Sequence, residues 1–180
     1  MNSLHFDNIL LISGSGRNSG KTTLACNIIK HLSKSREVIG LKISPHVHLT
    51  GKNQEIIMQE EHFSIFRESD SNSGKDSSRM LDAGAMEVYF VLCDDENLWR
   101  IEKNLIKIAS KGYPVICESG SFAKRYTPGL HILVKGENPD NAKKSYRYNL
   151  EMANLVVLSE KAINEAYSQS IDYRDGWIKK

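Results

Sequence analysis

Cysteines with metal-ligand spacing are missing from this chain. Cys26, Cys93 and Cys117 lie far apart, in apolar or helical contexts. That spacing excludes a Cys-x-x-Cys metal framework and a disulfide-stapled fold, and it suits reduced, buried thiols. An excess of one charge is also missing. Lys and Arg total 24 against 22 Asp and Glu, a formal net charge of +2, which makes no electrostatic case for nucleic acid or an anionic membrane. No apolar run approaches the length of a membrane span. Met1–Asp7 lacks the basic and apolar regions of a signal peptide, so a cytoplasmic chain is expected. There is no internal repeat, and no low-complexity tract beyond a short Ser/Asp/Asn stretch near Asp70. The 180 residues suffice for one domain with a central sheet covered on both faces.

What is present is a glycine-rich stretch, Gly14-Ser15-Gly16-Arg17-Asn18-Ser19-Gly20-Lys21-Thr22-Thr23. It follows an apolar run, Ile9–Ile12, and precedes a helical pattern that begins at Thr22. Strand, glycine-rich loop, Gly-Lys-Thr and helix form the context of a P-loop. Glycines let successive backbone N–H groups turn inward on an anion, and the following helix adds its own unpaired N–H groups. Lys21 would reach the β and γ phosphates, and the Thr22 hydroxyl would take one position on Mg2+. The common spacing, G-x-x-x-x-G-K-[ST], wants glycine where Ser15 stands. Counted from Gly14, the loop is one residue longer.

Apolar strands alternating with helices predict an α/β fold with a mostly parallel sheet buried on both faces. Strands are expected at 9–12, 38–43, 88–92, 115–118, 132–134 and 155–158. The first helix should run from about Lys21 to Ser33, with Leu24, Ala25, Ile28, Ile29 and Leu32 as its apolar stripe. Residues 44–74 read as an irregular insertion, in which 55–58 and 63–66 are two short strands or one irregular helix. A short helix should follow Gly74, capped by Asp76 or Ser77 and stopped at Gly84. Asp94 or Asp95 should cap a helix with Leu98, Ile101, Leu105 and Ile108 on its core face, ended by Gly112 and Pro114. A final helix near Ser159 should bury Ala162, Ile163 and Ala166.

Ligands in such sheets sit beyond the carboxyl ends of the strands. Glu118 lies at one of these ends, where a carboxylate holds Mg2+ or orients an attacking water. Lys42 closes the second strand, either near phosphate or on the surface. His46 and His48 follow it with i, i+2 spacing, better suited to a polar lining or a loop than to a metal site. Gly74-Lys75-Asp76-Ser77-Ser78-Arg79 gathers charge and hydroxyls around a helix start, which suits a second anion or an ordinary cap. Lys124-Arg125 reads as a solvated pair, and Lys143, Lys144 and Arg147 as a solvated helix face rather than a nucleic-acid patch.

Two distant segments carry a family resemblance. Residues 13–32 and, more specifically, Gly74-Lys75-Asp76-Ser77-Ser78-Arg79-Met80-Leu81-Asp82-Ala83-Gly84-Ala85 resemble the molybdopterin-guanine dinucleotide biosynthesis adaptor proteins, known as MobB. That family carries a P-loop, a strand ending in a Lys-His stretch, G-K-D-S-x-R with A-G-A following, and later a strand ending in Glu-Gly. Here Ser119 intervenes between Glu118 and Gly120, and the Lys-His stretch is Lys42-Ile43-Ser44-Pro45-His46-Val47-His48.

The resemblance implies a three-layer P-loop NTPase fold of the dethiobiotin-synthetase-like branch, in a single domain. It implies GTP (or ATP) binding with Mg2+, a homodimer, and an accessory role beside a guanylyltransferase in molybdenum cofactor biosynthesis. By position, the nucleotide is expected on Gly14, Gly16, Arg17, Asn18, Ser19, Gly20, Lys21, Thr22, Thr23, Asp76, Ser77 and Arg79. Lys21 and Glu118 would be catalytic in weak or partner-stimulated hydrolysis, and Thr22 and Glu118 would hold the metal. No Asn-Lys-x-Asp motif is present to read guanine, so GTP rests on the resemblance. The alternatives are a small-molecule kinase or ATP-dependent ligase on the same fold, or a non-catalytic protein whose interactions nucleotide controls.

Overall fold

A computed structural model describes residues 3–45, 54–139 and 144–180. The apolar run Ile9–Ile12 lies in β1 (Leu4–Gly14), and all four of its side chains are fully buried. A strand apolar on both faces needs cover on both, which places it inside a sheet. β1 pairs in parallel with β6 (Val115–Ser119) on one side and β7 (Tyr126–Lys135) on the other. β2 (Ile39–Ser44) and β5 (Glu87–Cys93) continue the sheet in parallel beyond β6, and β8 (Leu155–Leu158) beyond β7. β3 (Gln54–Gln59) and β4 (Phe63–Glu68) form an antiparallel hairpin added to β5. The result is a mostly parallel eight-stranded sheet of order β3-β4-β5-β2-β6-β1-β7-β8.

Helices lie on both faces. On one, α1 (Lys21–Leu32) and α2 (Asp76–Asp82) bring Leu24, Ile28 and Met80 against Leu10, Ile12 and Ile116. On the other, α3 (Glu102–Ala109) and the 3-10 turn Leu98–Ile101 bring Leu98, Ile101, Leu105 and Ile108 against Ile9, Leu11, Leu41 and Cys117. α4 (Lys144–Met152) buries Tyr146 and packs Tyr148 on that same side.

Several boundaries differ from the sequence reading. Residues 54–68 resolve into the two short strands. The acid at 94 does not start a long helix: Asn97 N–H donates to Asp94 Oδ1 at 2.9 Å, a 3-10 turn follows, and α3 begins only at Glu102. The strand expected at 132–134 extends back to Tyr126, because it lies along β1 from Leu4 to Gly14. The last helix is broken into α5 (Ser159–Ala162) and α6 (Glu165–Gln169). Of its expected core face only Ala162 is buried. Ile163 and Ala166 are exposed, and Tyr167 takes the inner position. A hairpin of β9 (Ile171–Tyr173) and β10 (Trp177–Lys179) adds Ile171 and Trp177 to the α1 side of the core. The expectations for His46, His48 and Lys143 lie outside the described residues.

Candidate functional site

The carboxyl ends of β1, β2 and β6 open into a cavity of about 960 Å³, lined by Gly14, residues 16–23, Lys42, Asp76, Arg79 and Glu118 among others. The glycine-rich loop forms one wall. A Cβ on Gly14 would fall 2.5 Å from Ser19 Oγ and 2.8 Å from the Lys21 side chain, so any larger residue would displace these two side chains. Asn18 and Gly20 turn through positive φ, at 55° and 90°. Ser15 is buried and fastens the loop to β7: its N–H donates to Val134 O at 3.0 Å, and its Oγ accepts from Gly136 N–H at 2.8 Å. The serine standing where the common spacing wants glycine is therefore an anchor. Nothing in the one-dimensional pattern pairs it with β7.

Lys21 Nζ donates to Gly16 O at 2.5 Å and to Ser19 Oγ at 3.2 Å, across the mouth of the loop. α1 starts at Lys21 with no side-chain cap and no acid in its first turn, while Lys30 and His31 occupy its last turn. Its amino end thus keeps a positive field directed into the cavity. Arg17 and Asn18 stand exposed at the rim.

Opposite the loop, three oxygen-bearing side chains converge. Thr22 Oγ1 lies 3.0 Å from Asp76 Oδ1 and 2.9 Å from Glu118 Oε2. Lys42 Nζ bridges the same two carboxylates, at 2.8 Å from Asp76 Oδ2 and 2.6 Å from Glu118 Oε1. Sheet register explains the meeting. Lys42 is the cross-strand partner of both Glu118 and Phe90, and Glu118 is the partner of Ile12, so Phe90, Lys42, Glu118 and Ile12 form one row. Thr22 and Asp76 reach the row from the first turns of α1 and α2. Burial pushes Asp76 up, but the Lys42 ammonium and the bonds from Lys42 and Thr22 outweigh it and hold the carboxyl below its ordinary value. Burial likewise works against charge on Lys42, and Glu118 and Asp76 outweigh it, so its pKa is raised.

Hard oxygen ligands suit Mg2+, which binds through one or two carboxylates plus substrate phosphates. The hydroxyl of Thr22 has one proton for two adjacent carboxylate oxygens. Whichever it does not serve is left facing another oxygen, and a bound cation would relieve that contact. Among the described residues no group of three or more His, Cys, Asp or Glu gathers as a metal cage. The pair Asp76–Glu118 with Thr22 fits an ion that takes its remaining ligands from phosphate and water.

The sequence-expected residues divide. Gly14, Gly16, Arg17, Asn18, Ser19, Gly20, Lys21, Thr22, Thr23, Asp76, Arg79 and Glu118 all line the one cavity. Arg79 Nη2 is 3.4 Å from Thr23 Oγ1. Ser77 turns away: it is buried and its Oγ donates to Glu68 Oε2 at 2.7 Å. The Asp76 carboxylate faces Thr22 and Lys42, beside Glu118. Lys42, left open between site and surface, is only 11% exposed at its side chain and central to the site. Its signal was a lone charge in the otherwise apolar run Val38–Ile43.

The thiols take no part. Burial pushes Cys26 and Cys93 each up to about 11 and raises Cys117 further, so all three are neutral. No helix among the described residues is long and apolar enough to cross a membrane. No protein-family model, no curated protein and no solved structure matches this chain.

Proposed function

We propose that this chain is a P-loop protein that binds a Mg2+–nucleoside triphosphate in the large cavity and hydrolyses it slowly. The carrying observation is the meeting of the Thr22 hydroxyl with Asp76 and Glu118, opposite a glycine-rich loop that ends in Lys21. The loop amides and the amino end of α1 cradle the phosphates, and Lys21 leaves Gly16 O to reach the β and γ oxygens. Thr22, Asp76 and Glu118 hold the metal, which when bound neutralises charge on the phosphate oxygens. Lys42, released from one carboxylate, supplies a second positive charge beside the γ-phosphate. A free oxygen of Glu118 accepts a hydrogen bond from the attacking water and orients it.

The resemblance to MobB supports GTP as the nucleotide, a homodimer, and service to a guanylyltransferase in molybdopterin-guanine dinucleotide formation. It also supports placement in the dethiobiotin-synthetase-like branch. A second reading, phosphoryl transfer to a small acceptor, is favoured by a smaller cavity that shares Lys42 and Asp76.

Calorimetric titration with GTP and with ATP in Mg2+ tests the central reading. Saturable binding that is weakened about tenfold or more in Lys21→Ala supports it. Equal binding by the parent and Lys21→Ala sinks it.

A further inference from the structure

The first turn of α2 carries Asp76 into the cavity, yet little in the helix itself fixes its rotation. It is seven residues long and has no side-chain cap, and of its buried residues Ser77, Ser78 and Met80 only Met80 is large and apolar. Apolar contact is non-directional, so it seats a short helix without setting its angle about its own axis. A side chain that holds a metal must stay within about 0.5 Å of its working position.

A bond from outside the parallel strands supplies the constraint. Ser77 Oγ donates to Glu68 Oε2 at 2.7 Å, with Ser77 4% and Glu68 5% exposed. Glu68 ends β4 and is itself held on every side. Gln54 Nε2, from the cross-strand position on β3, donates to the same oxygen at 2.8 Å. The N–H groups of Ser69 and Asp70 donate to Oε1 at 3.2 and 3.1 Å. A carboxylate has about four acceptor sites, and four donors fill them here. Glu68 is thus a saturated anchor in the hairpin, and α2 is fastened to it by the residue next to Asp76. From that same turn Asp76 meets Thr22 Oγ1 at 3.0 Å and Lys42 Nζ at 2.8 Å.

We propose that Glu68 and Ser77 are positioning residues for the oxygens of Thr22, Asp76 and Glu118. They set the rotation of α2 and so hold the Asp76 carboxylate in place, while touching neither nucleotide nor metal themselves. The β3–β4 hairpin thereby becomes part of the site, because its seating on β5 decides where Asp76 stands. The proposal rests on the Mg2+–nucleotide reading above.

The test measures GTP affinity by calorimetry in millimolar Mg2+ and in EDTA, and the ratio of the two is the readout. A general folding defect lowers stability, or both affinities together, whereas a displaced Asp76 lowers the ratio. Ser77→Ala should lower the ratio about fivefold, on the scale of coupling within one network, and leave the affinity in EDTA unchanged. In an Asp76→Asn background the same change should have no further effect on the ratio. Ser78→Ala removes another buried hydroxyl of α2, which accepts from Ser73 N–H at 3.0 Å in the preceding loop, and should keep the parental ratio. The parental ratio in a folded Ser77→Ala overturns the proposal, as does an equal drop in Ser78→Ala. If Ser77→Ala does not fold, Gln54→Ala decides in its place. It removes the other donor to Glu68 Oε2 and should lower the ratio about twofold, and an unchanged ratio overturns the proposal. A parent with the same GTP affinity in Mg2+ and in EDTA overturns the metal reading together with the proposal. Parental Mg2+ dependence retained in Ser77→Ala overturns the proposal alone.

Discussion

Lys42 and Glu118 are register partners across β2 and β6, and their side chains meet at 2.6 Å with only 11% and 2% of their surfaces exposed. Asp76 joins from α2 at 2.8 Å. Two carboxylates this close would repel one another without a cation between them. In this arrangement the lysine is that cation, and the same oxygens are the ones a nucleotide-bound metal would require.

Removing the lysine should therefore expose the repulsion. Lys42→Met is expected to destabilise the fold by about 3 kcal/mol, the scale for stranding one side of a buried ion pair. Millimolar Mg2+ should recover part of that loss by occupying the vacated position between Asp76 and Glu118. Urea unfolding with EDTA and with Mg2+ measures both, and a variant as stable as the parent in EDTA would contradict the assignment.

Lys21 faces the loop rather than the core, so Lys21→Ala should fold with near-parental stability. Its affinity for Mg2+–GTP should drop by about tenfold to a hundredfold, the range for a charged hydrogen bond. Isothermal titration and a thermal melt together separate this result from a folding defect.

Asp76 sits below its ordinary 3.8. Its contribution to stability is present above 3.8 and is lost as pH falls through its lowered folded value. Lys42 sits above its ordinary 10.5, so its contribution is full below 10.5 and disappears as pH rises through the higher folded value. Asp76→Asn should flatten the acid limb below 3.8, read from urea midpoints.

His131 gives a separate acid effect. It is buried at the Ser13 hydroxyl, with Oγ and Nε2 2.8 Å apart. Burial pulls it from 6.5 down to about 4. The unfolded chain then binds more protons between these values, so stability is full above 6.5 and falls towards pH 4. The slope should approach about 1.4 kcal/mol per pH unit in the parent and be shallower in a folded His131→Gln.

Glycine substitutions should sort by space, not by position in the motif. An added Cβ at Gly129 would lie 2.0 Å from the Asp7 carbonyl oxygen, where the register of β1 and β7 shifts. Gly129→Ala should lose about 3 kcal/mol. Gly16 has nothing within 4 Å of such a Cβ, and Gly16→Ala should stay within about 0.5 kcal/mol in the absence of ligand. Comparative urea unfolding decides both.

Elements whose periodicity reports burial on both faces were legible in the chain. Ile9–Ile12 and the stripe Leu24, Ala25, Ile28, Ile29 and Leu32 lie where expected, because apolar transfer dominates their placement. The helix near Ser159 was not legible to its end. Ile163 and Ala166 fit the helical period, yet a break after Ala162 turns them outward and brings Tyr167 in. Asp76 stood out in the sequence but its place did not, since nothing local tells a helix start that caps itself from one that faces Thr22.

By itself the sequence determined a parallel α/β core and a glycine-rich turn into a helix beginning at Lys21. Both follow from local spacing and side-chain hydrophobicity. Only the tertiary structure decided that Lys42 stands between Asp76 and Glu118, that Ser15 anchors the loop to β7, and that Ser77 turns to Glu68. Those partners lie 34, 76, 121 and 9 residues apart in the chain. Strand register and helix docking bring them within hydrogen-bond reach, and neither is encoded in the spacing of any one segment.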